Sequence, residues 1–155
     1  MELERKSLPE QHYLYVVREA GFTGTEIADA MGSGFGQVFG FVQQNGISAL
    51  SMPVSLYMDM PNGPKMVFRC AMFVSADDAQ KVQDPIEVGT IAAGDVVTGV
   101  HVGPYATLNV SHKALWDYCD EKGYTKAMPV WEHYVDDPTT VAEKDCRTEI
   151  YRRIE

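Results

Sequence analysis

Two similar stretches, "MPVSLYMDMP" at Met52–Pro61 and "MPVWEHYVDDP" at Met128–Pro138, decide the fold. Each follows a segment of helical character that ends at a glycine. These segments are "FGQVFGFVQQNG" at Phe35–Gly46 and "HKALWDYCDEKG" at His112–Gly123. A glycine after the last apolar residue of a helical pattern is a common helix end. The same order of features thus occurs twice, which indicates an internal repeat.

Apolar residues support both helices. In the first helix they recur at helical spacing, at Phe35, Val38, Phe39 and Val42. In the second they form a comparable stripe of Leu108, Leu115 and Cys119, with His112 and Trp116 along its edge. Each helix is therefore expected to pack one face against a sheet.

Extended segments flank the helices. One precedes each helix, at His12–Ala20 and at Glu87–Val102, and another follows each repeated stretch, at Lys65–Val74 and at Asp145–Ile154. Asn62-Gly63-Pro64 predicts a hairpin turn between the strands around it. Each half therefore reads strand, helix, strand, strand.

The duplicated pattern predicts one α+β domain over residues 1–155. The β-α-β-β units span about 10–74 and 88–154, and the polar segment 75–85 joins them as a loop. A unit of this size buries little surface alone, so we expect the two to share a core about a pseudo-two-fold axis. The sheet is expected to be mostly antiparallel, with two main helices.

Composition excludes several classes of function. The net charge of −9 argues against direct nucleic-acid binding, which needs a basic surface. No apolar run is long enough to cross a membrane, and the N-terminus lacks the apolar core of a signal peptide. Three cysteines form no paired framework. We therefore expect a cytoplasmic protein with reduced thiols.

No cofactor or metal is expected. The four histidines lack the spacing of a metal pair on one helix or hairpin, and no cysteine joins them in a motif. "GSGFGQVFG" at Gly32–Gly40 contains closely spaced glycines, but they lie inside a helical pattern with no preceding buried strand. They therefore do not predict a nucleotide site.

Ligand sites favour the interface between duplicated halves, so the residues facing such a cleft matter most. Strand alternation places Arg147, Glu149, Tyr151 and Arg153 on one face of the last strand. If this face meets bulk solvent, Glu149 is an ordinary surface carboxylate. If it lines a cleft, Glu149 binds a cation or acts as a general acid or base.

Aromatic and histidine side chains have the same two interpretations. Trp131 is either a packing residue or a stacking surface for flat or cationic ligands. Ser55 stands at the corresponding place of the first half, which indicates that the halves have diverged there. His101 and Tyr105 flank Gly103-Pro104, and either pack on the sheet or lie at the rim of the cleft.

Four segments follow in order across Gly99–Ile154: "GVHVGPYATL", "LWDYCDEKGY", "MPVWEHYVDDP" and "RTEIYRRI". Together they resemble the GyrI-like small-molecule-binding family. The same domain is the effector-binding module of several bacterial multidrug-responsive transcription activators. "TEIADAMGSGFGQVFGFVQQNG" in the first half is similar to the family's first helix region. The resemblance thus covers about residues 10–154 and implies a duplicated β-α-β-β fold.

The resemblance implies an aromatic-lined pocket between the halves. A glutamate that recognises cationic, lipophilic compounds maps onto Glu149, and the "WExY" strand maps onto Trp131 and Tyr134. Some members of the family instead hydrolyse reactive cyclopropane-containing compounds with this glutamate and a tyrosine. With the candidates from the pattern, the predicted ligand-binding residues are Glu149, Trp131, Tyr134, Tyr57, Tyr105, Trp116, Tyr151 and His101.

Three functions stay open, in this order. The first is a stand-alone, non-catalytic binder of cationic, lipophilic, often aromatic molecules, as in multidrug recognition. The second is a small hydrolase that uses Glu149. The third is an inhibitor of DNA gyrase, whose acidic surface competes with DNA for a basic one. The sequence does not decide whether the chain forms a homodimer or binds a protein partner such as gyrase.

Overall fold

Eight strands and two main helices occur in the part of the chain that the structure describes. The computed structural model describes residues 1–61 and 63–155. The strands are β1 (Leu3–Leu8), β2 (Gln11–Ala20), β3 (Val54–Tyr57), β4 (Met66–Val74), β5 (Glu87–Ile91), β6 (Gly94–Val102), β7 (Lys126–Tyr134) and β8 (Arg147–Ile154). The helices are α1 (Gly24–Gln44), the one-turn α2 (Ala76–Ala79) and α3 (Leu108–Lys122). The predicted α+β class with two main helices is confirmed.

The chain forms two compact units. The 10–92 unit contains Glu10–Ala92, and the 93–155 unit contains Ala93–Glu155 together with Met1–Pro9. The strand order is β3-β4-β2-β5 in the 10–92 unit and β7-β8-β6-β1 in the 93–155 unit. All registered pairs within the units are antiparallel, which confirms the predicted strand direction.

Each unit contains a strand-helix-strand-strand segment with the same strand order. In β2-α1-β3-β4 and in β6-α3-β7-β8, the last strand lies between the other two. A further strand pairs with the first strand of each segment. The shared order agrees with the predicted repeat, while its bounds and the pseudo-two-fold axis stay predictions.

Helix α1 begins well before the predicted Phe35. The Thr23 side chain accepts a hydrogen bond from Glu26 N, and Glu26 Oε2 accepts one from Gly21 N, so the first turn is capped. Val38 and Val42 are buried against β2 and β4, whereas Phe39 is 48% exposed and does not belong to the buried stripe. Gly46, with φ 62°, follows the helix end as predicted.

In the 93–155 unit, α3 packs on β6 and β8. Leu108, Leu115 and Cys119 are buried on the sheet side of α3, as the sequence predicts. Gly123 adopts the left-handed conformation, with φ 73°, and ends the helix. Each sheet therefore has a face that packs on its helix and an opposite face, which we call the helix-free face.

Two local features differ from the sequence predictions, and a third predicted feature lies outside the described residues. The extended segment 87–102 forms two strands, β5 and β6. The short helix α2, capped by the Ser75 hydroxyl, lies within the predicted loop 75–85. The predicted hairpin turn includes Asn62, which lies outside the described residues. None of the helices in the described ranges is long and apolar enough to cross a membrane.

Candidate functional site

A cluster of four side chains lies on the helix-free face of the 93–155 unit. In the sheet register, Trp131 of β7 is opposite Tyr151 of β8, and His133 is opposite Glu149. Side chains alternate between faces along a strand, so these four residues share one face. Thr98 of β6 lies opposite Tyr151 on the same face.

Aromatic stacking holds the cluster together. The rings of Trp131 and Tyr151 are parallel within 5°, with centroids 5.2 Å apart. The His133 ring meets Tyr151 edge-on, also at 5.2 Å. Trp131 is 0% exposed, and its indole Nε1 has no hydrogen-bond partner among the described residues. Such a buried, unpaired donor is unusual in proteins and leaves a position for an acceptor.

Partial burial changes the pKa values of two residues in this cluster. Burial lowers the pKa of His133 to about 4, and the negative charge of Glu149 opposes that shift only in part. Burial also raises the pKa of Tyr151 to about 12, with added contributions from the charge of Glu149 and the hydrogen bond to it. Trp131 is thus buried on this face, His133, Glu149 and Tyr151 are partly buried, and Arg147 at its end is exposed.

Glu149 has no cationic partner. Its Oε1 accepts a hydrogen bond of 3.1 Å from the Tyr151 hydroxyl, and it makes no ion pair with any described residue. Arg147 follows two residues away on the same face, but it forms its ion pair with Asp136, through Nε at 2.9 Å. Glu149 is therefore without an ion pair, although its charge contributes to the raised pKa of Arg147.

Tyr134 and Tyr105 lie apart from this cluster. Tyr134 is on the helix side of β7, where its hydroxyl donates a 2.7 Å hydrogen bond to Glu132 Oε1. His112 Nε2 of α3 lies 2.7 Å from Glu132 Oε2, and the Tyr105 ring meets Tyr134 edge-on at 5.5 Å. Glu132 is only 5% exposed, so these contacts satisfy a buried carboxylate. Sequence alternation predicts this separation of Tyr134 from Trp131.

His101 and Trp116 also lie on the helix side. His101 is buried; its Nδ1 is 2.7 Å from Ser111 Oγ, and its Nε2 donates a 3.0 Å hydrogen bond to the Pro104 carbonyl. These bonds tie the end of β6 to α3. Trp116 lies beside two cations, with Lys126 Nζ and Arg152 Cζ at 4.4 and 4.8 Å from its ring centroid. Both residues thus have structural contacts away from Glu149.

Tyr57 packs in the helix-side core of the 10–92 unit, with its ring 6.2 Å from Phe68. Ser55, on the same face, is opposite Cys70, which packs against α1. Trp131 is on the helix-free face of its own unit, so the predicted equivalence of Ser55 and Trp131 is wrong. A shift of one residue moves a strand side chain to the other face.

A surface cavity of about 290 Å³ lies elsewhere in the 93–155 unit. Tyr105 and Cys146 line it together with Gly103, Pro104, Ala106, Pro138 and Glu143. Of the predicted site residues it contains Tyr105 alone. Burial raises the pKa of the Cys146 thiol, which does not favour a reactive thiolate there.

The structure thus brings together Glu149, Trp131 and Tyr151 from the predicted set, and it adds His133. Strand alternation in the sequence already places His133 on the Trp131 face, and that signal could have identified it. The Glu132–His112 contact joins a strand to a helix, and no spacing in the sequence indicates it. No group of three or more possible metal ligands occurs within residues 1–61 and 63–155.

Comparison with solved structures identifies the fold. The C-terminal domain of EcmrR has a TM-score of 0.78 and 22% identity, and the match covers 99% of this chain and 97% of that one. EcmrR in a complex with DNA has a TM-score of 0.79 and 20% identity, with 99% of this chain covered. This chain spans 57% of the EcmrR chain in that complex.

Two other similar structures have different descriptions. SAV2435, bound to tetraphenylphosphonium, has a TM-score of 0.65 and 16% identity, and the match covers 100% of this chain and 94% of that one. A hydrolase from Listeria innocua has a TM-score of 0.68 and 14% identity, with coverage of 99% and 92%. At these identities the likeness shows the fold alone.

No curated protein sequence matches the chain. The model of the family described as "GyrI-like small molecule binding domain" matches residues 1–155. This match covers the whole chain and agrees with the fold of its two units. The chain belongs to the GyrI-like small molecule binding domain family.

Proposed function

We propose that the helix-free face of the 93–155 unit binds lipophilic cations that carry aromatic groups. One observation carries the proposal: the Glu149 carboxylate makes no ion pair with a described residue and lies in the same partly buried cluster as the Trp131–Tyr151 stack. An uncompensated carboxylate in such surroundings favours a cation from outside the protein, because ion pairs are stronger where water is excluded.

Each member of the cluster has a role in this proposal. Glu149 attracts the positive charge, and the Tyr151 hydroxyl orients the carboxylate through its 3.1 Å hydrogen bond. Trp131 is buried and stacked on Tyr151, so it supports that ring, and the partly exposed Tyr151 ring attracts a cation through its π electrons. Neutral His133, whose pKa is about 4, does not compete for Glu149 near neutral pH.

The family and one relative support the ligand class. The family binds small molecules, and SAV2435 is bound to tetraphenylphosphonium, a bulky lipophilic cation. Stacking surfaces accept many flat ligands, because every aromatic ring has a π face. We therefore propose recognition of several such cations, as expected for multidrug binding, with one carboxylate selecting for positive charge.

The test compares tetraphenylphosphonium, neutral triphenylphosphine oxide and anionic tetraphenylborate by isothermal titration calorimetry. Glu149→Gln keeps the shape of the side chain and removes its charge. The substitution is expected to weaken the binding of tetraphenylphosphonium by about 1–3 kcal/mol, the scale of a hydrogen bond to a charged group. Glu121→Gln, at an exposed position of α3, is the matched control and should leave binding unchanged. Equal losses for the cation and the neutral compound would refute the charge role of Glu149.

The hydrogen bond between Tyr151 and Glu149 also favours a second candidate, a hydrolase. With a pKa of about 12, the phenol stays protonated and can donate a proton, while Glu149 acts as base or nucleophile. Mass spectrometry of an electrophilic compound incubated in excess with the protein tests this. Conversion that disappears in both Glu149→Gln and Tyr151→Phe would replace the binder with a hydrolase.

A further inference from the structure

We infer that the helix-free face of the 10–92 unit contains an anion-binding site in which Arg69 binds the carboxylate of a lipophilic acid. The residues that carry this inference all belong to the 10–92 unit, and the inference does not depend on the function proposed for Glu149. Arg69 lies in β4, opposite Val17 of β2 and Leu56 of β3. Tyr13 and Tyr15 of β2 share its face.

Two tyrosines hold the guanidinium in place. Arg69 Nη1 donates a 2.7 Å hydrogen bond to the Tyr13 hydroxyl, and Arg69 Cζ lies 4.3 Å from the centroid of the Tyr15 ring. A guanidinium stacked on a ring keeps its N–H groups directed outward in its own plane. Only one of its five N–H donors is used by Tyr13, so the remaining edge is suited to a bidentate carboxylate.

Arg69 has no anionic partner among the described residues. Two carboxylates share its face, but Glu19 pairs with Lys65 at 3.4 Å and the exposed Glu87 makes no ion pair. Arginine side chains that are half-buried usually pair with a carboxylate or a phosphate. The stacked but unpaired guanidinium therefore indicates that the anion comes from a ligand.

The backbone is shaped to position the tyrosine. Gly89 of β5 lies opposite Tyr13, and a Cβ built on Gly89 would be 2.3 Å from the Tyr13 ring. The ring thus occupies space that any other residue at position 89 would fill. Gly89 is a positioning residue for Tyr13, and Tyr13 is in turn a positioning residue for Arg69.

Neighbouring surface indicates the rest of the ligand. Val17 and Val67 lie on the face of Arg69, and they are 47% and 54% exposed. Gln11 is on the same face, and its buried Oε1 has no hydrogen-bond partner in the described ranges. Exposed apolar side chains beside a positive charge fit an acid with an apolar body, with Gln11 available to a hydrogen-bond donor on the ligand.

The test uses three probes with one chain and different head groups: decanoate, decanol and decyltrimethylammonium. Binding is measured by calorimetry below their micelle concentrations. We expect decanoate to bind more tightly than decanol, and Arg69→Gln to weaken decanoate by about 10- to 100-fold, as expected for a bond between charged groups. Arg69→Lys keeps the positive charge but lacks the planar guanidinium that can donate two parallel hydrogen bonds, so its loss of decanoate affinity should be intermediate.

Control variants separate this site from other effects. Arg18→Gln removes an arginine on the helix side of the same unit, where it bonds Gln37 at 2.6 Å, and should leave decanoate binding unchanged. Glu149→Gln should also leave it unchanged, while it weakens tetraphenylphosphonium. Thermal unfolding checks that each variant is folded.

A spectroscopic readout covers variants that fold poorly. The NMR signal of the Arg69 Nε–H group in the unmodified protein should shift on addition of decanoate and not on addition of decanol. No decanoate binding, equal binding of decanoate and decanol, or full retention of decanoate binding in Arg69→Gln would each overturn the inference.

Discussion

The pH dependence of stability tests whether the Glu149 face is shielded from water. In the folded protein, burial lowers the pKa of His133 from its ordinary value of 6.5 to about 4. Below pH 6.5 the unfolded chain binds a proton at this histidine while the folded chain does not. Stability from this residue is therefore fully present above pH 6.5 and is lost as the pH falls toward 4.

The expected size follows from the pKa difference. Each pH unit inside this window costs up to about 1.4 kcal/mol, because one pKa unit equals that free energy. Lowering the pH from 6.5 to 5 should thus reduce the free energy of unfolding by about 2 kcal/mol through His133 alone. This loss is a large fraction of the stability of an ordinary domain.

Urea unfolding at pH 7.5, 6.5, 5.5 and 5.0 measures the effect. His133→Gln has no titrating group at this position, so its free energy of unfolding should fall about 2 kcal/mol less than that of the unmodified protein. Trp131→Phe alters the same cluster without removing a titrating group, and it should keep the full pH dependence. The same pH dependence with and without His133 would refute the view that this face excludes water.

Three further substitutions test packing away from the site. Tyr134→Phe removes the hydroxyl that donates to buried Glu132, and it should lower the free energy of unfolding, measured in urea, by about 1–3 kcal/mol. Tyr118→Phe, at a tyrosine whose ring packs against Tyr124, serves as the comparison. Gly34→Ala places a Cβ about 2.5 Å from Cys70 Sγ and should cost about 1–3 kcal/mol in thermal unfolding. A Cβ added at Gly36 meets no atom within 4 Å, so Gly36→Ala should raise the stability of the helix by up to about 1 kcal/mol. If Gly34→Ala were more stable than Gly36→Ala, the packing of α1 on β4 would be contradicted.

Much of the fold can be predicted because its signals are local. Glycines end both helices, and apolar spacing identifies α3 and the second half of α1. Strand β1 escapes prediction because "LERKSL" carries three charges in six residues and pairs only with β6 as an edge strand. In the first half of α1, Ile27, Ala30 and Met31 have helical spacing and pack against the core, but Gly24, Gly32 and Gly34 weaken the helical pattern there.

The site can be predicted only in part. Strand alternation indicates on which face of a strand a side chain lies, but it does not indicate which residue of the next strand lies beside it. Alternation correctly groups Glu149 with Tyr151, and Trp131 with His133. It cannot show that these two pairs meet across β7 and β8, because register is a long-range property. The similarity of the two repeated stretches aligns Ser55 with Trp131, but their side chains lie on different faces, Ser55 on the helix side and Trp131 on the helix-free face. The register irregularity between Lys126 and Val130, where Pro129 has no N–H to donate, shows that strand β7 is not a plain copy of β3.

The alternation of β8 separates the residues of the core from the residues that we propose to bind a ligand. Thr148, Ile150 and Ile154 are buried on the helix side, and Ile150 and Ile154 belong to the core with Leu115 and Cys119. Glu149 and Tyr151 lie between them in sequence but face away from that core. Because partial burial of a carboxylate without an ion pair disfavours the folded state, Glu149→Gln should weaken ligand binding without lowering thermal stability. The proposed binding site on the helix-free face can therefore change its charge without loss of the fold. The helix-free face of the 10–92 unit contains the opposite charge, because Arg69 lies there against Tyr13 and Tyr15.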